Sequence, residues 1–340
     1  MTSSRRTVLA GLAAAPFLAC AAHAQARASL RVGYLPIIPM AQLFVMEGEG
    51  WTKAAGVDLT LTRFSSGPAM VQALASRSLD VAYVGIGPAM VARGRGIDLK
   101  VVAANIVDQV ALLGRGALVQ AFAAAPNAAD AFQRFRASAG RAAVIATLPP
   151  GSVPDTVLRH YLQEVARVPA GLVEVRGVGE DQVQQLLLAG AVDAASILEP
   201  ILTIVRERDP GARVIVPAAE MLPRQPGAVV AATAAALTRQ RDAVARMVAL
   251  HVRATKFVRD EPERATKHVV DFIGKGLVEP AVMRKALISD STHLIADPRA
   301  IVESTRLLQD FQRRIGTQPV VVDIDALFDF SFYDAAVRAG

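Results

Sequence analysis

Short apolar runs alternate with longer amphipathic stretches along most of this 340-residue chain. Residues 30–35 read as a buried strand, a loop follows at 36–39, and 40–55 reads as a helix stopped by Gly56. Residues 57–64 alternate apolar and polar as a half-buried strand does. Residues 68–78 place Met70, Val71, Leu74 and Ala75 on one helical face, and 81–84, 88–95 and 99–104 continue strand, helix, strand. After Asn105 the rhythm resumes. Residues 110–118 read as a strand crossing to a second unit, followed by a helix at 128–138 and a strand at 142–146. A helix at 155–167, a strand at 172–175, a helix at 181–189 and a strand at 194–198 complete that unit. Strands at 213–216 and 228–233 are expected to return the chain to the first unit, and from 238 onward it reads as helices broken by proline and glycine. Such βα alternation predicts an α/β protein with two mainly parallel sheets and covered faces. The expected lobes are 28–108 with 216–340, and 109–215, and a cleft lies between them. Ligands commonly bind in such clefts, at the carboxyl ends of parallel strands.

Four strand-to-helix junctions share one device. Ser65-Ser66-Gly67-Pro68, Gly85-Ile86-Gly87-Pro88, Gly151-Ser152-Val153-Pro154 and Glu199-Pro200 each set a small or acidic residue just before a proline. Proline suits the first helical turn because its missing N–H is one of the unpaired donors there. The other first-turn N–H groups carry the positive end of the helix dipole and suit an anion or a polar ligand. Each junction has two readings. Ser66 and Gly67 either cap a helix or face a ligand oxyanion. Glu199 either complements a helix dipole or accepts hydrogen bonds from a ligand amine.

Composition removes several other chemistries. Met1 to Arg6 is a short basic start and 8–22 an apolar stretch, too short to span a membrane and of the length of a signal-peptide core. Ala22-His23-Ala24 fits a cleavage site, so residues 1–24 read as a signal peptide, and Arg5-Arg6 suits the twin-arginine route. Cys20, the only cysteine, falls inside that leader and in a poor context for a lipid anchor, so the mature chain has no thiol. Formal charge is +6, or +4 once Arg5 and Arg6 are gone, and the arginines are scattered, so no nucleic-acid stripe is visible. The histidines have no metal-ligand spacing, and no metal or cofactor is expected. Gly85 and Gly87 do not open a dinucleotide fingerprint, because Met90 stands where a third glycine belongs. Ser152 lacks the second glycine of a nucleophile elbow. Trp51 is expected to pack under a loop, whereas Tyr34, at the end of the first strand, is placed to reach the cleft.

Several stretches, in order from 31 to 200, carry a resemblance. They are Arg31-Val-Gly-Tyr-Leu-Pro36, Glu49-Gly-Trp51, Ala55-Gly-Val-Asp-Leu59, Phe64-Ser-Ser-Gly67, Leu79-Asp80-Val-Ala, Gly85-Ile-Gly-Pro88, Pro150-Gly-Ser152, Leu188-Ala-Gly190-Ala-Val-Asp193-Ala and Glu199-Pro200. The chain resembles the substrate-binding proteins of ABC importers in the nitrate/sulfonate/taurine and thiamine-precursor group. The resemblance implies a bilobed type II periplasmic binding fold that closes on one small molecule by a hinge and delivers it to a membrane permease and its ATPase. A monomeric periplasmic protein is expected. By resemblance the ligand is lined by Tyr34, Pro36, Ile37, Ser65, Ser66, Gly67, Gly85, Gly87, Pro88, Thr147, Gly151, Ser152 and Glu199. The sequence departs from the group twice. Arg136 to Arg141 only partly keeps the segment that announces the second lobe, and the 35–39 loop is apolar. A sulfonate or taurine-like ligand and an aminopyrimidine both remain open, as do a ligand-sensing module and an enzyme resembling pyrimidine synthases.

Overall fold

The computed structural model describes residues 28–274 and 278–339. The expected leader, with Cys20, lies outside them. Twelve strands are β1 (Ala28–Tyr34), β2 (Val57–Arg63), β3 (Val81–Gly85), β4 (Leu99–Ala104), β5 (Ile106–Val107), β6 (Ala111–Gly114), β7 (Ala143–Thr147), β8 (Val173–Gly177), β9 (Ala194–Ile197), β10 (Arg213–Val216), β11 (Ala228–Thr233) and β12 (His293–Leu294). They form two five-stranded sheets, β2-β1-β3-β11-β4 and β10-β6-β9-β7-β8, and a two-stranded β5-β12 ribbon. In the first sheet β1 runs parallel to β2 and β3, while β11 is antiparallel to both β3 and β4. In the second, β7 runs parallel to β8 and β9, and β6 is antiparallel to β9 and β10. Each sheet therefore holds one reversed strand, and the expected bilobed α/β architecture is present.

The reversed strands are the ones delivered by the crossings. β6 follows the outward crossing at 105–110, and β11 follows the return at 217–227. The two crossings hold each other: the Gln225 amide accepts from Val110 N at 2.7 Å and donates to Val110 O at 3.0 Å. Asp108 and Gln225 exchange two further bonds, at 2.8 and 3.0 Å. The two crossings therefore run side by side as a paired, two-stranded connection between the sheets.

Several element boundaries differ from expectation. The helix foreseen at 40–55 is broken into Ala41–Gly48 and Trp51–Ala54, because Gly50 turns left-handed at φ 69°. The strand foreseen at 110–118 stops at Gly114, and Gly116–Ala123 is a helix whose apolar face is buried at Leu118 and Ala121. The helix foreseen at 155–167 runs regularly over Val153–His160 and then widens into π turns over Tyr161–Val165. The strand at Arg213–Val216 does not return to the first lobe: it pairs with β6 at the edge of the second sheet. Apolar alternation marks a strand in each case, but it does not name the sheet the strand joins.

The C-terminal helices reach across both lobes. Helix Pro280–Leu287 packs on the second-lobe helix Ile201–Arg208, with Lys285 Nζ 2.9 Å from Glu207 Oε1. Helix Val302–Arg314 packs on both Ile86–Gly94 of the first lobe and Val153–His160 of the second. Phe311 meets the His160 ring edge-on at 5.3 Å, and Arg314 pairs with Glu164 at 3.1 Å. The core under the sheets is dominated by small and branched residues, including Val32, Val81, Val101, Ile145, Ala195 and Val230.

Candidate functional site

The four proline-marked junctions converge between the lobes. In the first lobe Ser66 caps helix Gly67–Ala75, its hydroxyl accepting from Ala69 N at 3.3 Å, with Pro68 in the first turn. Helix Ile86–Gly94 starts beside it. A Cβ on Gly67 would come within 2.4 Å of the Pro88 ring, so glycine lets the two helix ends touch. In the second lobe Ser152 caps Val153–His160 by accepting from Asp155 N at 3.3 Å.

Across the gap the lobes come into close contact at two glycines. A Cβ on Gly85 would come within 2.9 Å of Val153 Cγ2, and one on Gly87 within 3.2 Å of the Gly151 carbonyl. The same Gly87 position lies 3.0 Å from Nε2 of Gln312, which also donates to Thr156 Oγ1 at 3.3 Å. Gln312 comes from the C-terminal helix and is fully buried, so a third element closes this side. A second contact joins the 36–40 loop to the end of β9: Ile38 N donates to the Glu199 carbonyl at 3.4 Å. Gly85, Gly87, Pro88, Gly151 and Ser152 thus form one interlobe cluster, with Ser66 and Gly67 behind it. Ile38 and Glu199 make a second interlobe contact, Pro36 lines a groove with Pro200, and Ile37, 5% exposed, is buried beside that loop.

Other foreseen residues are engaged locally. Thr147, fully buried at the end of β7, donates its hydroxyl to Ser196 O at 3.0 Å. Tyr34 is 9% exposed, and its ring meets Phe44 and Phe272 edge-on at 5.6 and 6.3 Å. Trp51 packs edge-on against Phe257 at 5.3 Å, with the Arg253 guanidinium 3.7 Å from its ring centroid. Glu199 is 2% exposed; its carboxylate accepts from Thr203 N at 3.0 Å, Thr203 Oγ1 at 2.8 Å and the Ser289 hydroxyl. Burial raises the Glu199 pKa, and those three bonds oppose the rise.

Two of the histidines are held by neighbouring groups. His251 lies between Tyr83 Oη at 3.3 Å and Ala104 O at 2.8 Å, and burial lowers its pKa to about 4. His268 pairs with Glu49 at 2.8 Å. Among the described residues no group of His, Cys, Asp and Glu is placed to hold a metal ion.

Two acids in the second lobe were not foreseen. Asp155 is fully buried, with Oδ1 accepting from Arg159 Nε at 2.8 Å and Oδ2 from Gly151 N at 3.4 Å. Burial raises its pKa against those bonds. Glu180 opens helix Glu180–Leu188 and is 8% exposed. Burial, with the Asp181 charge beside it, pushes its pKa up to about 8, while Arg63 of the first lobe pulls the other way. An acid at a helix start ordinarily signals only a favourable dipole. Nothing in the local pattern shows that another lobe will cover it.

An open groove runs past Glu180 between the lobes. One hollow of about 690 Å³ is lined by Pro36, Arg63, Phe64 and Ser65 on one side and residues 179–182 on the other. A second, of about 480 Å³, shares Pro36, Arg63, Glu180 and Asp181 and extends to Ile201, Arg208 and Ile273. The groove thus presents helix ends, a serine hydroxyl and both signs of charge from facing elements of the two lobes.

The relatives agree with this architecture. Putative binding protein BAB2_1146 of Brucella abortus (strain 2308) is 27% identical over 273 residues, 79% of each chain. The structure superposes on the periplasmic nitrate-binding protein NrtA from Synechocystis PCC 6803 with a TM-score of 0.76 at 13% identity, covering 92% of this chain and 88% of that one. It superposes on the alkanesulfonate-binding protein SsuA from Xanthomonas axonopodis pv. citri, bound to MOPS, with a TM-score of 0.72 at 16% identity, covering 89% and 99%. At those identities the two superpositions establish the fold. The NMT1-like family pattern matches residues 23–273, and the chain belongs to that family.

Proposed function

We propose that this protein is the periplasmic solute-binding component of an ABC importer. It captures one small polar or anionic molecule, of sulfonate or taurine-like character, between its lobes and presents it to a membrane permease with its ATPase. The observation that carries the reading is the close meeting of Gly85 with the Val153 side chain and of Gly87 with the Gly151 carbonyl, where helix starts of opposite lobes approach within contact distance. Backbone N–H groups at such ends suit an acceptor-rich ligand. The Gln225-bonded crossings supply the hinge.

A fold alone carries no activity, so the reading rests on the site. The protein performs no chemistry in this account: its one cysteine precedes the expected cleavage point, and Ser152 spends its oxygen capping a helix. Export by the 1–24 leader places it in the periplasm, and among the described residues no helix is long and apolar enough to cross a membrane.

A thermal-shift screen of the chain from Gln25 onward tests the reading, using sulfonates, inorganic anions, amino acids and pyrimidines. A ligand at a hundred times its Kd stabilises the fold by about 2.7 kcal/mol, which moves the melting point visibly. A hit lost in a Gly87→Val variant supports interlobe capture. Silence across all four classes rejects it.

A further inference from the structure

Three buried acids stand at helix starts of the second lobe, and they differ in what holds them. Both oxygens of Asp155 and both of Glu199 accept hydrogen bonds from the protein. Glu180 Oε2 is buried without a hydrogen-bond partner. Both hollows of the interlobe groove are lined by Glu180. The charged groups that face it are Asp181 on its own helix, Arg63 at the end of β2 in the opposite lobe, and Arg208 from helix Ile201–Arg208. A carboxyl oxygen left bare at such a place loses more free energy than a paired one, because its hydration is gone and nothing replaces it.

We propose that Glu180 is a specificity-determining ligand contact, receiving a protonated nitrogen of the bound molecule while Arg63 faces its acceptor end. The ligand class is then a small zwitterion or an amine-bearing acid, rather than a bare anion. The inference rests on the interlobe-capture reading and narrows it.

The proton balance is explicit. With its pKa pushed up to about 8, Glu180 is largely protonated at pH 6.5 when unpaired. An ammonium brought against Oε2 favours the carboxylate instead. Glu–COOH and R–NH₃⁺ become an ion pair, and one proton leaves to solvent. A molecule with the same anionic group and no nitrogen leaves the acid neutral and releases no proton.

Calorimetry at pH 6.5 tests this with two matched pairs, taurine against ethanesulfonate and β-alanine against propionate. Two non-sulfonate buffers of different ionisation enthalpy report the protons released. In at least one pair the amine should bind about ten- to a hundredfold tighter, the worth of one charge-assisted hydrogen bond, and release close to one proton. Glu180→Gln should cut that preference below about threefold and abolish proton release, the nitrogen-free partner changing little. Arg63→Gln, at an exposed site, should weaken both members of a pair alike and leave proton release in place. If Glu180→Gln does not fold, the wild-type preference and proton count decide. Equal binding within both pairs, no proton release, or a preference that survives Glu180→Gln overturns the role of Glu180 and leaves interlobe capture standing. If none of the four binds while the wider screen gives a nitrogen-free hit, the zwitterion class is overturned alone. If that screen is silent too, both readings fall.

Discussion

Strand for strand, the first sheet read as β2-β1-β3-β11-β4 corresponds to the second read as β8-β7-β9-β6-β10. The parallel trio comes first in each, then the reversed strand from a crossing, then the edge. An ion-pair clamp recurs at the same place. Asp80, just before β3, accepts from Arg31 N at 3.0 Å and from the Arg31 guanidinium at 3.0 and 2.9 Å. Asp193, just before β9, accepts from Val144 N at 2.8 Å and from the Arg141 guanidinium at 2.6 and 2.8 Å. Burial pushes both acids up, yet the arginine and backbone bonds outweigh it and hold both below the usual carboxylate range. At the cleft-facing ends the likeness stops. The first lobe presents Ser66 and Gly85 at its helix starts, both uncharged; the second presents Asp155, Glu180 and Glu199, all buried with raised pKa values. The shared parts hold each sheet together, and the unshared parts meet the other lobe. Clamp and cleft therefore answer to different demands on the same scaffold.

That contrast predicts opposite responses to pH, and Glu180 gives the largest. Burial pushes its folded pKa up to about 8, above the ordinary glutamate value of 4.5. The stability tied to its neutral form is complete below pH 4.5 and is lost as pH rises toward 8. The slope is about 1.4 kcal/mol per pH unit across that window. Urea unfolding at pH 5, 6, 7 and 8 should show this decline in the wild type and a flattened profile in Glu180→Gln. Identical profiles would mean that Glu180 is solvated between the lobes.

The clamps come next. Asp80→Asn and Asp193→Asn should each cost about 2–3 kcal/mol at pH 7, since each removes charge-assisted bonds to an arginine and a backbone N–H. Because both pKa values are lowered, this contribution is present above the ordinary Asp value and disappears as pH falls through the folded one. A loss in one lobe only would break the correspondence.

The interlobe glycines give the smallest change in fold stability and a clear change in closure. Gly85→Ala or Gly87→Ala should disfavour the closed form by about 1–3 kcal/mol through overpacking against the other lobe. The readout is a loss of ligand affinity of about fivefold to a hundredfold with a nearly unchanged melting point, and small-angle scattering should show a more open average shape. Gly67→Ala, pressed against Pro88 inside the first lobe, should lower the melting point instead. If all three act alike, the backbone contact between lobes does not govern closure.

Much of the fold was legible because periodicity and proline-marked helix starts are local. The Ser66, Ser152 and Pro88 junctions fall where the residues said they would, and β1, β3, β4 and β9 lie within a residue or two of expectation. Leu79-Asp80 and Val192-Asp193 were in view only as two separate motif stretches, and their hydrogen bonds show them to be one device. The Gly50 break escaped because one left-handed glycine suffices to end a helix whose apolar periodicity continues past it, and the π turns after His160 leave no mark in the periodicity. Glu180 escaped for a different reason. Its burial comes from residues more than a hundred positions away, at Pro36 and Arg63.

By itself, the sequence determined two βα units, their helix starts, and a leader pattern at the N terminus that contains the one cysteine. Those follow from spacing, backbone chemistry and composition, which need no partner. Tertiary structure decided that Arg213–Val216 stays in the second sheet and that helix Val302–Arg314 spans both lobes. It also decided that Glu199 is consumed by Thr203 and Ser289 while Glu180 keeps a bare oxygen. Hydrogen-bond satisfaction and desolvation depend on what the rest of the chain brings within about 3 Å of a group, and no local pattern carries that information.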